Sequence, residues 1–212
     1  MIIAGLPRQN QTRRSAKSAK RSFLFEKNAT FAGCNNHHHD MSAGAKPQSA
    51  KRYINVYLAL GSNMGDRAEN LAHACKRIES EIGKIARKSK VYETHPLGEP
   101  GQEWYYNQVI MINTTHDPRS LLELISRIER DMGRVRKEKW GPRIIDIDIL
   151  LYGKRIIRDK GLEIPHPEMH KRAFVLAPLM EIAPDIEHPV LKQPIDMLYM
   201  NCEDPAEVVM LS

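Results

Sequence analysis

Two aspartates, Asp146 and Asp148, alternate with apolar residues in the segment 145–151, and this period of two is typical of a β-strand. Successive strand side chains point to opposite faces, so the two carboxylates share one face, about 6.6 Å apart at roughly 3.3 Å per residue. Neighbouring carboxylates repel each other unless a positive group lies close to them. We expect the residues of the opposite, core-facing side to be Ile145, Ile147, Ile149 and Leu151.

The segment just upstream, residues 134–143, supplies five cationic side chains and contains Trp140. Carboxylates that can hold Mg²⁺ beside a basic loop that can hold phosphate indicate a nucleotide–metal site. The alternative is a strand with one solvated face, on which Asp146 and Asp148 meet only water and nearby arginines. An isolated aspartate pair favours that alternative, whereas the basic segment and Trp140 favour the nucleotide–metal site.

The net charge is concentrated at the N-terminus. Residues 1–50 hold eight basic and two acidic side chains, which accounts for the whole formal charge of +6, and residues 51–212 hold 24 of each. The remainder of the chain is therefore neutral overall, which argues against a nucleic-acid partner. We predict a disordered basic tail over residues 1–51 and one folded domain over residues 52–212.

Three interpretations of residues 1–50 remain open. They could target an organelle, being rich in Arg and Ser and poor in acids. They could bind a metal through Cys34, His37–His39 and Asp40. They could also be an upstream extension of the reading frame with Met41 as the natural start, which is the interpretation that we favour.

The cysteines and the hydropathy indicate a cytoplasmic protein. Cys34, Cys75 and Cys202 are odd in number and widely spaced, so they form neither a disulfide framework nor a zinc pair, and a reducing compartment follows. No apolar run approaches the roughly 18 residues that a membrane span requires, so we expect a soluble protein without a membrane partner.

Periodicity predicts two helices between strands. Asp66 is a predicted N-cap with Glu69 three residues later, and Asp117-Pro118 begins a second helix that Gly133 ends. The predicted apolar stripe of the first helix is Leu71, Cys75, Ile78, Ile82 and Ile85. The predicted strands begin at Tyr53, at Lys88 (to Tyr92), at Tyr105 (to Thr114) and at the aspartate segment, with a loop over Thr94–Glu103.

This order predicts an α+β fold with a ferredoxin-like βαββαβ core, an antiparallel sheet with helices packed on one face. A C-terminal extension follows, with an extended segment at Leu162–Pro167 and a short helix at Arg172–Ile182. Gly61-Ser62-Asn63-Met64-Gly65 is interpreted as a structural turn whose glycines serve backbone geometry. The chain contains neither a Walker-type nor a kinase-type glycine-rich loop.

Five segments in this order resemble the 6-hydroxymethyl-7,8-dihydropterin pyrophosphokinase family of the folate pathway. The resemblance runs from about Tyr53 to about Pro189. The segments are Leu58–Asn63, Val91–Gly98, Tyr105–Asn107, Lys139–Leu150, and Ile164–Pro167 with Arg172–Phe174. The resemblance implies transfer of the β,γ-diphosphate of ATP to the hydroxymethyl group of the pterin, with AMP as the leaving group. It also implies a stand-alone enzyme, since no second folate-pathway domain follows Ser212.

The resemblance also implies the site residues. Two Mg²⁺ ions would be held by Asp146 and Asp148, which form the catalytic set with Arg134 and Arg143. The pterin would be bound by Thr94, Leu97, Tyr105, Asn107 and Phe174. ATP would be bound by Glu129, Arg136, Trp140, Ile149, His166 and Arg172. The implied partners are these two small molecules alone, and we expect a monomer.

Two rival functions remain open from the residues alone. A two-metal phosphodiesterase or nuclease could use the same aspartates and would hydrolyse its substrate without a pterin acceptor. A non-catalytic RNA-binding domain could share the predicted sheet, but the chain lacks the aromatic RNP1 pattern that such domains carry.

Overall fold

The computed structural model describes residues 52–95, 103–134 and 143–211. The chain divides into two units, residues 1–51 and 52–212. The first unit lies outside the described residues, so the three interpretations of the tail, and its predicted disorder, stay predictions. All of the described structure belongs to the second unit.

The described residues form a six-stranded antiparallel sheet and a separate hairpin. The strands of the sheet are β1 (Ile54–Ser62), β2 (Lys84–Lys88), β3 (Tyr92–Thr94), β4 (Tyr105–Thr114), β5 (Asp146–Tyr152) and β8 (Val208–Met210), and the hairpin joins β6 (Ile157–Asp159) to β7 (Leu162–Ile164). The main path of the sheet is β5-β1-β4-β3-β8, and β2 also pairs with β4, next to β3. The predicted α+β class and the ferredoxin-like core, an antiparallel sheet with packed helices, are confirmed.

Both predicted helix starts are confirmed by their caps. In α1 (Arg67–Glu81) the Asp66 carboxylate accepts a hydrogen bond from the backbone N–H of Glu69, at 2.9 Å. In α2 (Pro118–Asp131) the Asp117 carboxylate accepts from Arg119 and Ser120, with Pro118 at the first helical position. Each cap satisfies donors that have no partner inside the helix.

The main core lies between the sheet and these two helices. Fully buried leucines and isoleucines of α1 and α2 pack on the inward side chains of β1, β4 and β5. The helix residues are Leu71, Ile78, Leu121, Ile125 and Ile128, and the strand residues are Leu58, Leu60, Ile110, Ile112, Ile147 and Ile149. Burying each such side chain stabilises the fold by roughly 1.5–3 kcal/mol.

The predicted end of α1 and the predicted strand Lys88–Tyr92 are wrong. The helix ends at Glu81, and Gly83 passes so close to the backbone of Asn113 that a Cβ would clash there. Ile85 therefore lies in β2, opposite Ile112, instead of extending the helical stripe. The chain then leaves the ladder between Lys88 and Tyr92, where the Ser89 hydroxyl accepts a hydrogen bond from the Val109 N–H at 3.0 Å.

A bulge in β5 overturns one predicted orientation. Leu58 pairs with Ile149 but Tyr57 pairs with Leu151, so Leu150 is an extra residue and the alternation reverses after it. Leu151 is only 1% exposed, yet the core cluster on the helix side contains Tyr152 in its place. The predicted inward positions of Ile145, Ile147 and Ile149 are confirmed.

The C-terminal extension packs against the face of the sheet that α1 and α2 do not cover, near β2 and β3. Its helix α3 (Ala173–Ile182) confirms the predicted short helix and is tied to β2 and β3. Arg87 donates to the carbonyl of Ile182 at 2.7 Å, and the Tyr92 hydroxyl donates to the Glu181 carboxylate at 3.0 Å. A second helix, α4 (Ile195–Met200), packs on α3. Among the described residues, no helix has the length and apolarity that crossing a membrane requires.

The loop between α3 and α4 contains a buried histidine that predicts a pH-dependent stability. His188 is 4% exposed, and its Nδ1 accepts from the N–H of Leu191 at 3.1 Å and of Val190 at 3.3 Å. Burial, and secondarily the neighbouring His170, lower the pKa of His188. The unfolded chain thus binds a proton near pH 6.5 that the folded chain takes up only at lower pH, so stability falls as the pH falls below about 6.5.

We therefore expect His188→Asn to reduce the loss of stability between pH 7.5 and pH 5.5, since the Asn oxygen keeps the acceptor at the Nδ1 position. The measurement is the urea midpoint of each protein at both pH values. His73→Asn, at an exposed position of α1, should keep the wild-type pH dependence. Equal losses in wild type and His188→Asn would contradict this assignment.

Candidate active site

A cross-strand row of three residues organises the site. Gly61 in β1 pairs with Asp146 in β5 on one side and with Asn107 in β4 on the other. A Cβ built on Gly61 would lie 3.3 Å from Oδ1 of Asn107 and 4.0 Å from the ring of Tyr105. The acidic residues and the predicted pterin residues therefore share one face of the sheet, and a side chain at position 61 would press on Asn107.

On the acidic side, two arginines neutralise Asp146. Its Oδ1 accepts from Nη1 of Arg134 and its Oδ2 from Nη1 of Arg143, each at 2.6 Å. Arg134 also forms an ion pair with Glu129, a carboxylate only 3% exposed, which accepts from the N–H of Ile147 at 2.8 Å. Burial raises the pKa of Glu129 to about 7 although Arg134 and this hydrogen bond act against it.

The second aspartate lies two pairs further along the ladder. Asp148 pairs with Ala59 in β1, whereas Asp146 pairs with Gly61. Burial first, and the nearby Asp146 second, raise the pKa of Asp148, while His166, Arg172 and Arg134 act to lower it. A metal cation bound between Asp146 and Asp148 would reduce the repulsion between the two carboxylates.

The hairpin and the start of α3 bring His166 and Arg172 to the aspartates. The backbone N–H of His166 donates to the carbonyl of Leu150 at 3.0 Å, which fixes this segment against β5. Nδ1 of His166 accepts from the N–H of Glu168 at 3.2 Å, so Nε2 carries the hydrogen of the neutral ring and can donate to a ligand. Arg172 precedes α3, and its guanidinium lies 5.8 Å from the centre of the Phe174 ring.

The aspartate pair fits a metal that arrives with phosphate. Mg²⁺ in nucleotide sites takes one or two carboxylates from the protein and its remaining oxygens from phosphate and water. Asp146 and Asp148 provide two hard oxygen donors on one face of β5. Over residues 52–95, 103–134 and 143–211 there is no cluster of three or more His, Cys, Asp or Glu side chains that could hold a metal. These donors therefore suit a shared protein–nucleotide ion and not a cage made by the protein alone.

On the other side of Gly61, a hydrogen-bonded pair presents a polar edge. Nδ2 of Asn107 donates to the Thr94 hydroxyl at 2.8 Å, and both side chains are buried. Tyr105 lies beside them and is close enough to Arg143 and Asp146 for their charges to affect the pKa of its hydroxyl. Burial raises the pKa of Tyr105, Arg143 lowers it, and Asp146 raises it further.

The described structure thus gathers most of the residues that the sequence suggested. The side chain of Ile149 packs in the helix-side core, so any contact with ATP would go through its main chain. Glu129 is enclosed against Arg134. Leu97, Arg136 and Trp140 lie outside the described residues, and their assignments stay predictions.

The sequence analysis missed Asn63 and misread Gly61. The side-chain oxygen of Asn63 accepts from the backbone N–H of Arg143 at 2.8 Å, and the backbone N–H of Asn63 donates to the carbonyl of Arg143 at 3.2 Å. Asn63 is 1% exposed, and these two hydrogen bonds hold the backbone of Arg143, whose side chain contacts Asp146. Gly65 has a positive φ of 61°, as turn geometry requires, but Gly61 does not. Gly61 lies within β1, where a Cβ would crowd the side chain of Asn107.

Comparison with known proteins agrees with this arrangement. The family model described as 7,8-dihydro-6-hydroxymethylpterin-pyrophosphokinase (HPPK) matches residues 57–184. The chain belongs to this family. It is 45% identical over 132 residues to the 2-amino-4-hydroxy-6-hydroxymethyldihydropteridine pyrophosphokinase of Methylorubrum extorquens, which covers 62% of this chain and 84% of that protein. With the corresponding enzyme of Aquifex aeolicus the identity is 44% over 140 residues, covering 66% and 87%.

Larger proteins contain a similar segment. The Dictyostelium discoideum protein named folic acid synthesis protein FOL1 is 44% identical over 146 residues, which cover 69% of this chain but 22% of that protein. The solved wild-type HPPK-DHPS of Plasmodium falciparum has a TM-score of 0.58 at 20% identity, covering 70% of this chain and 44% of that one. At this identity the second likeness supports the fold alone.

The contact of Asn63 with Arg143 predicts a catalytic effect. We expect Asn63→Ala to lower kcat about tenfold, because it would displace Arg143, which we predict to bind phosphate, and a displacement of about 1 Å can cost up to a hundredfold in rate. Steady-state kinetics with ATP and the pterin measures this loss. The matched control is Asn55→Ala, which removes a side-chain hydrogen bond to Asn113 at the far end of the same strand. Wild-type kcat in Asn63→Ala would remove Asn63 from the site.

The crowding of position 61 by Asn107 predicts a size limit. Gly61→Val should raise the KM for the pterin by about tenfold or more, because its side chain would displace Asn107, which we predict to bind the pterin. The KM for ATP should change much less. Ala86→Val, on the exposed strand β2, adds the same bulk away from the site and should leave both values unchanged. A normal pterin KM in Gly61→Val would contradict the placement of the acceptor.

Proposed function

We propose that this chain transfers the β,γ-diphosphate of ATP to the hydroxymethyl group of 6-hydroxymethyl-7,8-dihydropterin in folate biosynthesis. The hydroxymethyl oxygen forms a bond to the β-phosphorus, the bond from that phosphorus to the α,β-bridging oxygen breaks, and AMP leaves. Family membership supports this reaction. The row Asp146–Gly61–Asn107 is the observation that carries it, because residues predicted to bind the metal and phosphates lie on the same face as residues predicted to bind the acceptor.

The nucleotide half of the site is cationic. Arg134 and Arg143 bind the transferring phosphates, for which a planar, permanently charged guanidinium is suited. His166, through its Nε2–H, and Arg172 bind the remaining phosphate oxygens. Glu129 holds Arg134 in place, and the main chain of Ile149 contacts the nucleotide together with Arg136 and Trp140.

Asp146 and Asp148 hold two Mg²⁺ ions in this proposal. When bound, the ions neutralise the developing charge on the attacking and leaving oxygens. Both oxygens of Asp146 are bonded to arginines in the ligand-free protein, so cation binding at Asp146 competes with those ion pairs. The arginines that Asp146 releases are the groups that the phosphates then bind.

The acceptor half of the site recognises a flat polar ring. Thr94, Leu97 and Asn107 pair with the amide edge of the pterin, while Tyr105 and Phe174 stack on its two faces. Offset stacking adds about 0.5–1.5 kcal/mol beyond the burial of area. With the acceptor held beside the phosphates, positioning and charge neutralisation supply most of the rate acceleration.

We further propose that the enzyme acts as a monomer in the cytoplasm. Cys75 is a buried thiol that forms no disulfide within the described structure, which suits a reducing compartment. An organelle location through residues 1–50 is the alternative. Light scattering of the purified full chain tests the monomer, and microscopy of a tagged full chain tests the location.

Product analysis tests the proposed reaction. The protein is incubated with ATP, with and without the pterin and Mg²⁺, and the nucleotides are separated. The proposal predicts AMP in equal amount to pterin diphosphate, and only when all three components are present. Formation of ADP, or AMP release without the pterin, would favour a different phosphotransferase or a hydrolase and would refute the proposal.

The assignment of Asp148 predicts a large loss of turnover with an intact fold. Asp148→Asn keeps the shape but removes the charge that holds the cation, so kcat should fall by about a hundredfold or more. The urea midpoint should not fall, because the variant removes a buried charge that Asp146 repels. Asp159→Asn, at an exposed position of β6, is the matched control and should keep wild-type kcat. Undiminished turnover in Asp148→Asn would exclude Asp148 as a metal ligand.

A further inference from the structure

Arg67 is the first residue of α1 and reaches across to both strands that carry the acceptor half of the site. One of its nitrogens, Nη1, donates to the carbonyl oxygen of Trp104 at 2.6 Å and to Oε1 of Glu93 at 3.1 Å. Its guanidinium carbon lies 3.9 Å from the centre of the Tyr106 ring. The side chain is 20% exposed, so these contacts are largely shielded from water.

These three partners alternate with the residues assigned to the pterin. Glu93 and Tyr106 are directly opposite each other in the pairing of β3 with β4, and the next pair along is Thr94 with Tyr105. Successive residues of a strand point to opposite faces. Arg67 therefore binds the helix side of the same two strand ends whose other side presents Thr94, Tyr105 and Asn107.

The contact with Trp104 fixes the start of β4. Trp104 immediately precedes Tyr105, so its carbonyl group and the Tyr105 N–H belong to one planar peptide unit. A charge-assisted hydrogen bond to that carbonyl restrains the plane from which Tyr105 projects. The ion pair with Glu93 restrains β3, which is only three residues long.

The chemistry of this contact requires arginine. The planar guanidinium donates to two acceptors at its edge while its face stacks on the Tyr106 ring. A lysine ammonium on the same stem is a point charge and can replace the ion pair but not all three contacts together. The geometry is thus specific to the residue type and not only to its charge.

We propose that Arg67 is a positioning residue for the pterin: it holds the ends of β3 and β4 together from the helix side and so sets the geometry of Thr94, Tyr105 and Asn107. This inference rests on the proposed function. Among the described residues, Arg67 donates to Glu93 and Trp104 and stacks on Tyr106, and none of these three is assigned to a substrate. We therefore expect its effect in the acceptor half of the site.

The test compares Arg67→Met with Arg77→Met. Arg77 lies in the same helix and also forms ion pairs, with Glu81 and Asp131, away from the acceptor residues. For each full-length variant, calorimetry measures the Kd of 6-hydroxymethylpterin in the presence of Mg²⁺ and a non-hydrolysable ATP analogue. The Kd of the analogue alone and the urea midpoint are measured on the same samples.

We expect Arg67→Met to raise the pterin Kd about tenfold, within the range that small displacements of binding groups produce, and to change the Kd of the analogue less than about twofold. Arg77→Met should lower the urea midpoint by a similar amount and leave both Kd values unchanged. Arg67→Lys should fall between wild type and Arg67→Met in pterin affinity, since it restores only the ion pair.

Two results would overturn the inference. One is an unchanged pterin Kd in Arg67→Met, and the other is an equal loss of affinity for pterin and analogue, which would indicate a general structural role. If the wild type binds the analogue but no pterin, the proposed function fails along with the inference. If the wild type binds pterin normally and Arg67→Met does too, only the inference fails.

Discussion

The site depends on the electrostatic problem of two carboxylates on one face of one strand. Asp146 and Asp148 repel each other, and burial raises the pKa of Asp148 further. In the ligand-free protein Arg134 and Arg143 compensate Asp146, and each of them is anchored in turn, Arg134 by the buried Glu129 and Arg143 by Asn63. The compensating charges are thus groups suited to bind phosphate. In the proposed function, nucleotide–metal binding would exchange one set of ion pairs for another without leaving a buried charge unpaired.

The antiparallel ladder places the two halves of the site beside each other. Adjacent strands are about 4.8 Å apart, so one intervening residue sets a separation of about two strand spacings between the metal side and the acceptor side. That residue is Gly61, where a side chain would crowd Asn107. On the opposite face, α1 and α2 hold the strands rigid, and Arg67 ties α1 to β3 and β4 directly.

Local rules predicted the parts of the fold that are local. The caps at Asp66 and Asp117, the whole of β4 and the facing of Asp146 and Asp148 follow from residue types and spacing within a few positions. The wrong predictions occur where a contact with a residue distant in sequence determines the secondary structure. Ile85 continues a helical period but is placed in β2 because Gly83 turns against Asn113, and the bulge at Leu150 depends on the neighbouring strand. Asn63 and Gly61 contact residues of other segments, so their roles could be recognised only once the pairing of those segments was known. The two-ion site and the individual substrate contacts stay predictions.

A crystal structure with Mg²⁺, a non-hydrolysable ATP analogue and 6-hydroxymethylpterin would examine the charge exchange most directly. We predict cation density coordinated by both Asp146 and Asp148, Arg134 and Arg143 turned from Asp146 to the phosphates, and the pterin seated beside Asn107 with its hydroxymethyl group over Gly61. Aspartates that retain their arginine partners, with the nucleotide bound elsewhere on the protein, would contradict the account.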